Sequence, residues 1–454
     1  MKRYEKYVAV DLPWYPNGIP AHWTTLRHKN VLHQHKELVG DKASQYTLLS
    51  LTLKGVIIRD LSEGKGKFSK DYDKYVVVNK GDFVFCLFDV DETPRTVGLS
   101  PHNGMITGAY DVFTPYNINP EYFYYYYLSL DNVKALKPLY SGLRKVIPYP
   151  SFMATKFPVP SREEQDQIVR FLDYKISKIN SLIKGYQKQI KLLEEQKLSF
   201  INSAVTGQFS AFPMQFVNSN WVSQIPAHWK FEKIKQHFTI KKRIAGKEGY
   251  DVISITQQGL KVKDITKNEG QMAASYAKYQ FVYPGEYAMN HMDLLTGYIG
   301  LSDHFGVTSP DYRVFAINDL NICDPEYFLY VFQLGYKRKI FYGLGRGAAN
   351  KGRWRMPAVN FKNYDIPLPP LEEQKEIVRR IKKQQEKIDT GITEVQKEID
   401  LLREYRTRLI SDVVTGQIDV RDEVIPEYTA VEDEPEQTEE NEENNLLEDG
   451  EENI

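Results

Sequence analysis

Two short segments carry residue types that could handle an aromatic amine. Asn119-Pro120-Glu121-Tyr122 and Asp324-Pro325-Glu326-Tyr327 each set a side-chain acceptor beside a proline and an aromatic ring. Such a set can hold an exocyclic amine while the ring stacks on a flipped base. Glu, however, stands where a second proline would stiffen the loop, and no Gly-rich turn upstream offers a cradle for a nucleoside cofactor. The same residues suit a helix start better. Asn or Asp caps, Pro fills the first helical position and Glu sits at the positive end of the dipole. Gly343-Leu344-Gly345-Arg346-Gly347 has the glycine of a phosphate loop but not its Gly-Lys-Ser/Thr ending. His28, His33 and His35 lack the cysteines or clustered carboxylates of a zinc site. No catalytic, cofactor-binding or metal-binding residue is assigned.

Positive charge is the remaining chemistry. Lys65, Lys67 and Lys70 follow Gly64. Arg144 and Lys145 lie near the end of the first half, Lys241, Lys242 and Arg243 form a run, and Arg346, Lys351, Arg353 and Arg355 fall within ten residues. In loops these suit contact with DNA phosphates or base edges. Taken singly, each fits a solvated loop better than a contact.

The elements that must hold such loops are written twice. Ile19-Pro20-Ala21-His22-Trp23 recurs at Ile225, Glu163-Glu164-Gln165 at Glu372 and Val205-Thr206-Gly207-Gln208 at Val414, after 206, 209 and 209 residues. A nearly constant offset this long marks a duplicated domain and not a solenoid. Each copy opens with mixed apolar runs and turn signals, residues 1–160 and 208–369, read as short strands with a few helices. Each closes with a long helix, 161–207 and 370–417, entered through Pro158-Val159-Pro160-Ser161 or Pro367-Leu368-Pro369-Pro370 and stopped at Gly207 or Gly416. Apolar residues at Ile168, Leu172, Ile179, Leu182, Ile190 and Leu193, and at Ile377, Ile381, Ile388, Ile392, Ile399 and Leu402, follow an alternating three/four spacing. That spacing predicts a coiled-coil seam of about five heptads per copy. Each helix would run roughly 64 Å at about 1.5 Å per residue. The matched lengths favour an antiparallel pair within the chain; pairing with another chain is the alternative.

Composition bounds the rest. The 454 residues carry 42% hydrophobic residues, enough for real cores. Two cysteines, Cys86 and Cys323, exclude a disulfide framework, and no apolar run is long enough to span a membrane or lead secretion, so a reducing cytoplasm is expected. The net charge of −1 hides a division. The last 33 residues hold 15 acids and no Lys or Arg, which leaves 59 basic against 45 acidic residues before them, a net of +14. A basic body suits nucleic acid. The acidic segment 418–454 is expected to be disordered.

The duplicated Ile-Pro-Ala-His-Trp, Glu-Glu-Gln and Val-Thr-Gly-Gln, with Pro367-Leu368-Pro369-Pro370-Leu371-Glu372-Glu373-Gln374 opening the second helix, resemble the specificity subunit of prokaryotic Type I restriction–modification enzymes. The resemblance covers about residues 1–420. It implies an α+β fold with two similar target recognition domains, a pair of long antiparallel helices between them and a pseudo-twofold repeat. It further implies double-stranded DNA as ligand, read as two half-sites around an unread spacer. Two methyltransferase subunits would dock, and restriction subunits would join them in the complex; S-adenosylmethionine, ATP and Mg would belong to those partners. The chain itself would perform no chemistry. A coiled-coil adaptor that never meets DNA, or an autonomous DNA-modifying enzyme, is the competing reading.

Overall fold

A computed structural model of the chain describes residues 2–431 apart from 13, 16–17, 60–71, 91, 141–144, 266–272 and 348–353. The chain forms two compact units. One comprises residues 1–187 and 397–435, the other 188–396 and 436–454. Each therefore joins one globular part to a stretch of both long helices.

In the first unit an antiparallel sheet runs in the order Leu32–His35, Asp111–Pro115, Phe83–Phe85, Val97–Leu99. In the second the order repeats as Phe238–Lys241, Arg313–Ile317, Tyr287–Met289, Ile299–Leu301. Three-residue strands such as Phe83-Val84-Phe85 are buried on both faces, which explains their unbroken apolar runs. One helix packs on each sheet, Pro120–Asn132 and Pro325–Lys337. Asn119 accepts from the Tyr122 amide at 3.0 Å and Asp324 from the Tyr327 amide at 2.9 Å, so both segments are helix N-caps. Their aromatic runs face inward: Tyr122, Phe123, Tyr126 and Tyr127 are at most 1% exposed.

The first stem helix is Arg162–Val205 and the second Leu371–Val414. Both stop at a glycine in the left-handed region, Gly207 at φ 73° and Gly416 at φ 72°. There the Gln208 amide reaches the Ser203 carbonyl and the Gln417 amide the Asp412 carbonyl, closing Schellman turns. Within each unit the helices run antiparallel. In the first, the start of one and the end of the other both meet Trp23, and Arg406 donates to Asn180 at 2.7 Å farther along. In the second, Lys197 reaches Asp389 at 2.6 Å, and the Cβ position of Gly391 lies 4.0 Å from Leu193.

The heptad expectation needs correction. Leu182 is 54% exposed, and Ile183 beside it is 3% exposed. Buried positions also recur every eleven residues, with Ile377, Ile388, Ile399 and Ile410 at 8%, 5%, 1% and 4% exposed, beside the heptad-spaced Ile381, Ile388, Val395 and Leu409. An eleven-residue repeat gives about 3.67 residues per turn, near the natural 3.6, so the stripe stays on one face where a heptad stripe drifts about 20° per repeat. Ile168, Leu172, Ile179 and Ile381 are buried as expected, while Ile190, Leu193, Ile392 and Leu402 are half-buried.

The expectation of disorder from 418 onward is also too broad. Residues 418–431 lie along the first stem helix. Gln167 donates to the carbonyls of Val420 and Glu423, Ser177 to that of Thr429 and Asn180 to that of Val431, while Tyr428 meets Tyr174 edge-on at 5.3 Å. Val420 is fully buried. The acid-rich remainder, 432–454, lies outside the described residues.

Candidate nucleic-acid interface

Each globular part is fixed to its stem by the three repeated motifs. In the first unit Glu164, 5% exposed, accepts from Tyr4 Oη at 2.6 Å, Trp23 Nε1 at 3.0 Å and His22 Nε2 at 2.9 Å. Pro20 and Trp23 press on Gly416, where a Cβ would stand 2.5 Å from Pro20 Cδ. In the second unit His228 donates to Glu373 at 2.8 Å, and Pro226 and Trp229 leave no room for a Cβ on Gly207. The motif glutamine completes the joint. Gln165 Oε1 accepts from the Asn119 amide at 2.9 Å and Gln374 Oε1 from the Asp324 amide at 2.7 Å. Ile-Pro-Ala-His-Trp, Glu-Glu-Gln and Val-Thr-Gly-Gln thus hold each globular part to its stem.

The histidines seen in the sequence are structural. His28 is fully buried; its Nδ1 donates to the Phe152 carbonyl and its Nε2 accepts from Tyr127 Oη, both at 2.6 Å. Burial pushes its pKa down to about 3, against the opposing pull of the Phe152 carbonyl. His33 is exposed and His35 half-buried, and among the described residues no cluster could hold a metal ion.

The basic candidates divide. Lys65, Lys67, Lys70, Arg144, Lys351 and Arg353 lie outside the described residues. Lys145 pairs with Glu92 at 2.8 Å. Lys241 ends a sheet strand and is half-buried. Arg243 is engaged within the unit: it pairs with Glu286 and lies 4.6 Å over the Tyr283 ring. Lys242, Arg346 and Arg355 are exposed. Arg346 and Arg355 pair through both backbone amides at 2.8 and 3.2 Å in an isolated antiparallel bridge.

Two residues missed in the sequence join this basic surface. The Arg313 side chain, from the sheet, donates to the Met356 carbonyl at 2.8 Å and lies 4.9 Å over the Phe361 ring. The Met356 amide in turn donates to the His291 carbonyl at 2.9 Å. Burial, then the charges of Arg313, Arg355 and Lys242, push the His291 pKa down to about 4. Burial likewise brings Arg313 down to about 10, so it remains a cation at neutral pH. The matching place in the first unit is different. There the Ile147 amide donates to the Leu87 carbonyl at 2.8 Å, and the sheet position carries Asp111, which accepts from Gln34 at 2.8 Å. Setting the two copies against each other would have exposed this exchange of Leu87 and Asp111 for His291 and Arg313.

Known proteins agree with this architecture. A model of the Type I restriction modification DNA specificity domain matches residues 62–192 and 228–400. The chain belongs to that family. It is 24% identical over 289 residues, 60% of this chain and 64% of the relative, to the Type I restriction enzyme MjaVIII specificity subunit of Methanocaldococcus jannaschii. Over 214 residues, 43% of this chain and 47% of the relative, it is 25% identical to the putative MjaX specificity subunit of the same organism. The chain thus spans from about half to under two thirds of these curated relatives. A chain from a solved type I R-M system, reported for its complex assembly and conformational transition, is similar with a TM-score of 0.53 at 14% identity. The match covers 89% of this chain and 100% of that one, and it supports the fold. No helix among the described residues is long and apolar enough to cross a membrane.

Proposed function

We propose that the chain is the DNA-recognition subunit of a Type I restriction–modification complex. Each globular part, 1–160 and 208–369, binds one half of a bipartite, non-palindromic target. The helices 161–207 and 370–417 set the spacer and dock methyltransferase subunits, with restriction subunits joining the complex. Catalysis, with S-adenosylmethionine, ATP and Mg, resides in those partners, and the assembly works in the cytoplasm. The observation that carries this reading is the duplicated frame with unlike surfaces. The sheet order and junction motifs repeat, while Asp111 and Leu87 in one copy are Arg313 and His291 in the other. Two identical readers would suit a palindrome; two unlike readers suit two different half-sites. The outward cations are placed for phosphate contact, and base-edge contacts would add about 1–3 kcal/mol per bidentate pair.

The test is a domain exchange. Residues 1–160 are replaced by the equivalent part of a relative, and the adenine methylation pattern of genomic DNA is read in cells carrying the complete system. One half-site should change and the other remain. A change in both half-sites, or methylation at one contiguous site, overturns the modular reading.

A further inference from the structure

We propose that Lys242, Arg355 and the buried guanidinium of Arg313, beside His291, form a seat for a single DNA phosphate on the second globular part. The inference rests on the DNA-recognition reading above and adds to it a defined contact.

The argument begins with an imbalance. Arg313 is 5% exposed, yet among the described residues no carboxylate pairs with it. Its Nη2 is used on the Met356 carbonyl, and its Nη1 is buried without a partner. A buried cation is costly unless something neutralises it. The neighbours make this worse, for Arg355 and Lys242 lie close enough to bear on His291 together with Arg313. His291 Nδ1 is also buried and unpaired. Three cations thus bear on one imidazole, and among the described residues no salt bridge neutralises them. An anion docked there would supply the missing partner of the buried Arg313 Nη1.

The fold keeps the cluster rigid. Arg313 stands on the sheet strand beside Met289, two residues before His291. Arg355 bridges Arg346 through the backbone, and the next residue, Met356, is tied to both His291 and Arg313. Lys242 follows the neighbouring edge strand Phe238–Lys241. Two exposed cations are therefore held over a buried one by strand pairing, with little left to order on binding. In the first copy Asp111 stands at the Arg313 position and balances the nearby Lys36, the counterpart of Lys242.

A phosphate contact carries no sequence information but sets the salt dependence. The full chain is titrated with a duplex of about 30 base pairs at several salt concentrations, and a seat for one phosphate contributes about 0.9 to the log–log slope. Lys242→Gln and Arg355→Gln, both at exposed sites, should each lower the slope by part of that, and the double variant by about 0.9, on every duplex tried. Lys375→Gln, whose ammonium pairs with Glu372 on the second stem helix, should not. Arg313 is a positioning residue here. Arg313→Gln should lower the slope and Arg313→Lys restore it, which separates charge from a packing defect. Wild-type protein that shows no salt-dependent binding removes the DNA reading itself. Wild-type binding with an unchanged slope in the Lys242 and Arg355 variants removes only the phosphate seat.

Discussion

The two junctions are built from the same words and are not equally strong. In the first, Glu164 gathers a tyrosine hydroxyl, an indole N–H and an imidazole, and Arg421 covers Tyr4 at 5.1 Å. In the second, Phe212 takes the place of Tyr4 against the motif histidine, cannot donate, and is 58% exposed. Trp229 Nε1 is left buried without a partner, and Glu373 keeps only His228. The repeat preserves the shape of the clasp through Pro226, Trp229 and Gly207, while among the described residues the three-donor set on the motif glutamate belongs to the first unit. Shape complementarity at the proline and glycine is thus the shared requirement, and the buried carboxylate is an addition to it.

The largest expected effect breaks that addition. Glu164→Leu leaves three donors without an acceptor, at about 1–3 kcal/mol for each that stays buried, and should destabilise the first unit by about 3 kcal/mol or more. Glu373→Leu removes one part-exposed pair and should cost about 1 kcal/mol or less. Urea denaturation of the full chain reads both. Equal losses would mean that the two clasps are energetically alike despite their different bonds.

A second contrast lies in the cores. His28 and Tyr127 form a buried hydrogen-bonded pair in the first unit. The same positions in the second hold Ile234 and Phe332, both buried and apolar. Tyr127→Phe strands the His28 ring nitrogen and should cost about 1–3 kcal/mol. The double change His28→Ile with Tyr127→Phe copies the second unit and should recover much of it, since exchanging both partners of a buried polar pair is far milder than removing one. Acid sharpens the contrast. The folded pKa of His28, about 3, lies below the unfolded value of 6.5, so the unfolded state takes up the proton first. The stability contributed by neutral His28 is complete above pH 6.5 and falls by about 1.4 kcal/mol per pH unit as pH drops toward 3. The double variant should lose that slope between pH 6.5 and 4; a slope unchanged in the variant would place the acid sensitivity elsewhere.

What was legible in the sequence is what contiguous residues decide. The proline entries, the Asn119 and Asp324 caps and the glycine stops are each written in four or five neighbouring residues, and the two long helices follow from them. The seam was legible as a stripe, but Leu182 was misplaced because a seven-residue ruler drifts on a helix that keeps its natural winding. The basic cluster was not legible as a unit. Lys242, His291, Arg313 and Arg355 lie on or just past separate strands and at the Arg346–Arg355 bridge, and only backbone pairing brings them together. Composition misled in the tail, where the density of acids after 431 masked the apolar content of Val420, Tyr428 and Val431 just before it.

The smallest predicted effect tests that tail and extends the comparison to the stems. The first stem helix is lined by Val420–Val431 through Gln167, Ser177 and Asn180. Along the second stem helix the corresponding stretch carries Glu376, Lys383, Glu386 and Asp389, charged side chains suited to water. Truncation after Val431 removes most of the acids and leaves the packed strap, so stability should change by no more than about 0.5 kcal/mol. Truncation after Gln417 exposes the apolar surface that Val420 and Tyr428 cover and returns the stem side chains to water. Burying one Val is worth about 1.5 kcal/mol or more, and hydrogen bonds that can be remade to water add little, so a loss of about 1–2 kcal/mol is expected. Denaturation midpoints of the two truncations decide the matter. If they coincide, the strap rests on the helix without stabilising it, and the two stem faces are equivalent in energy despite their unlike cover.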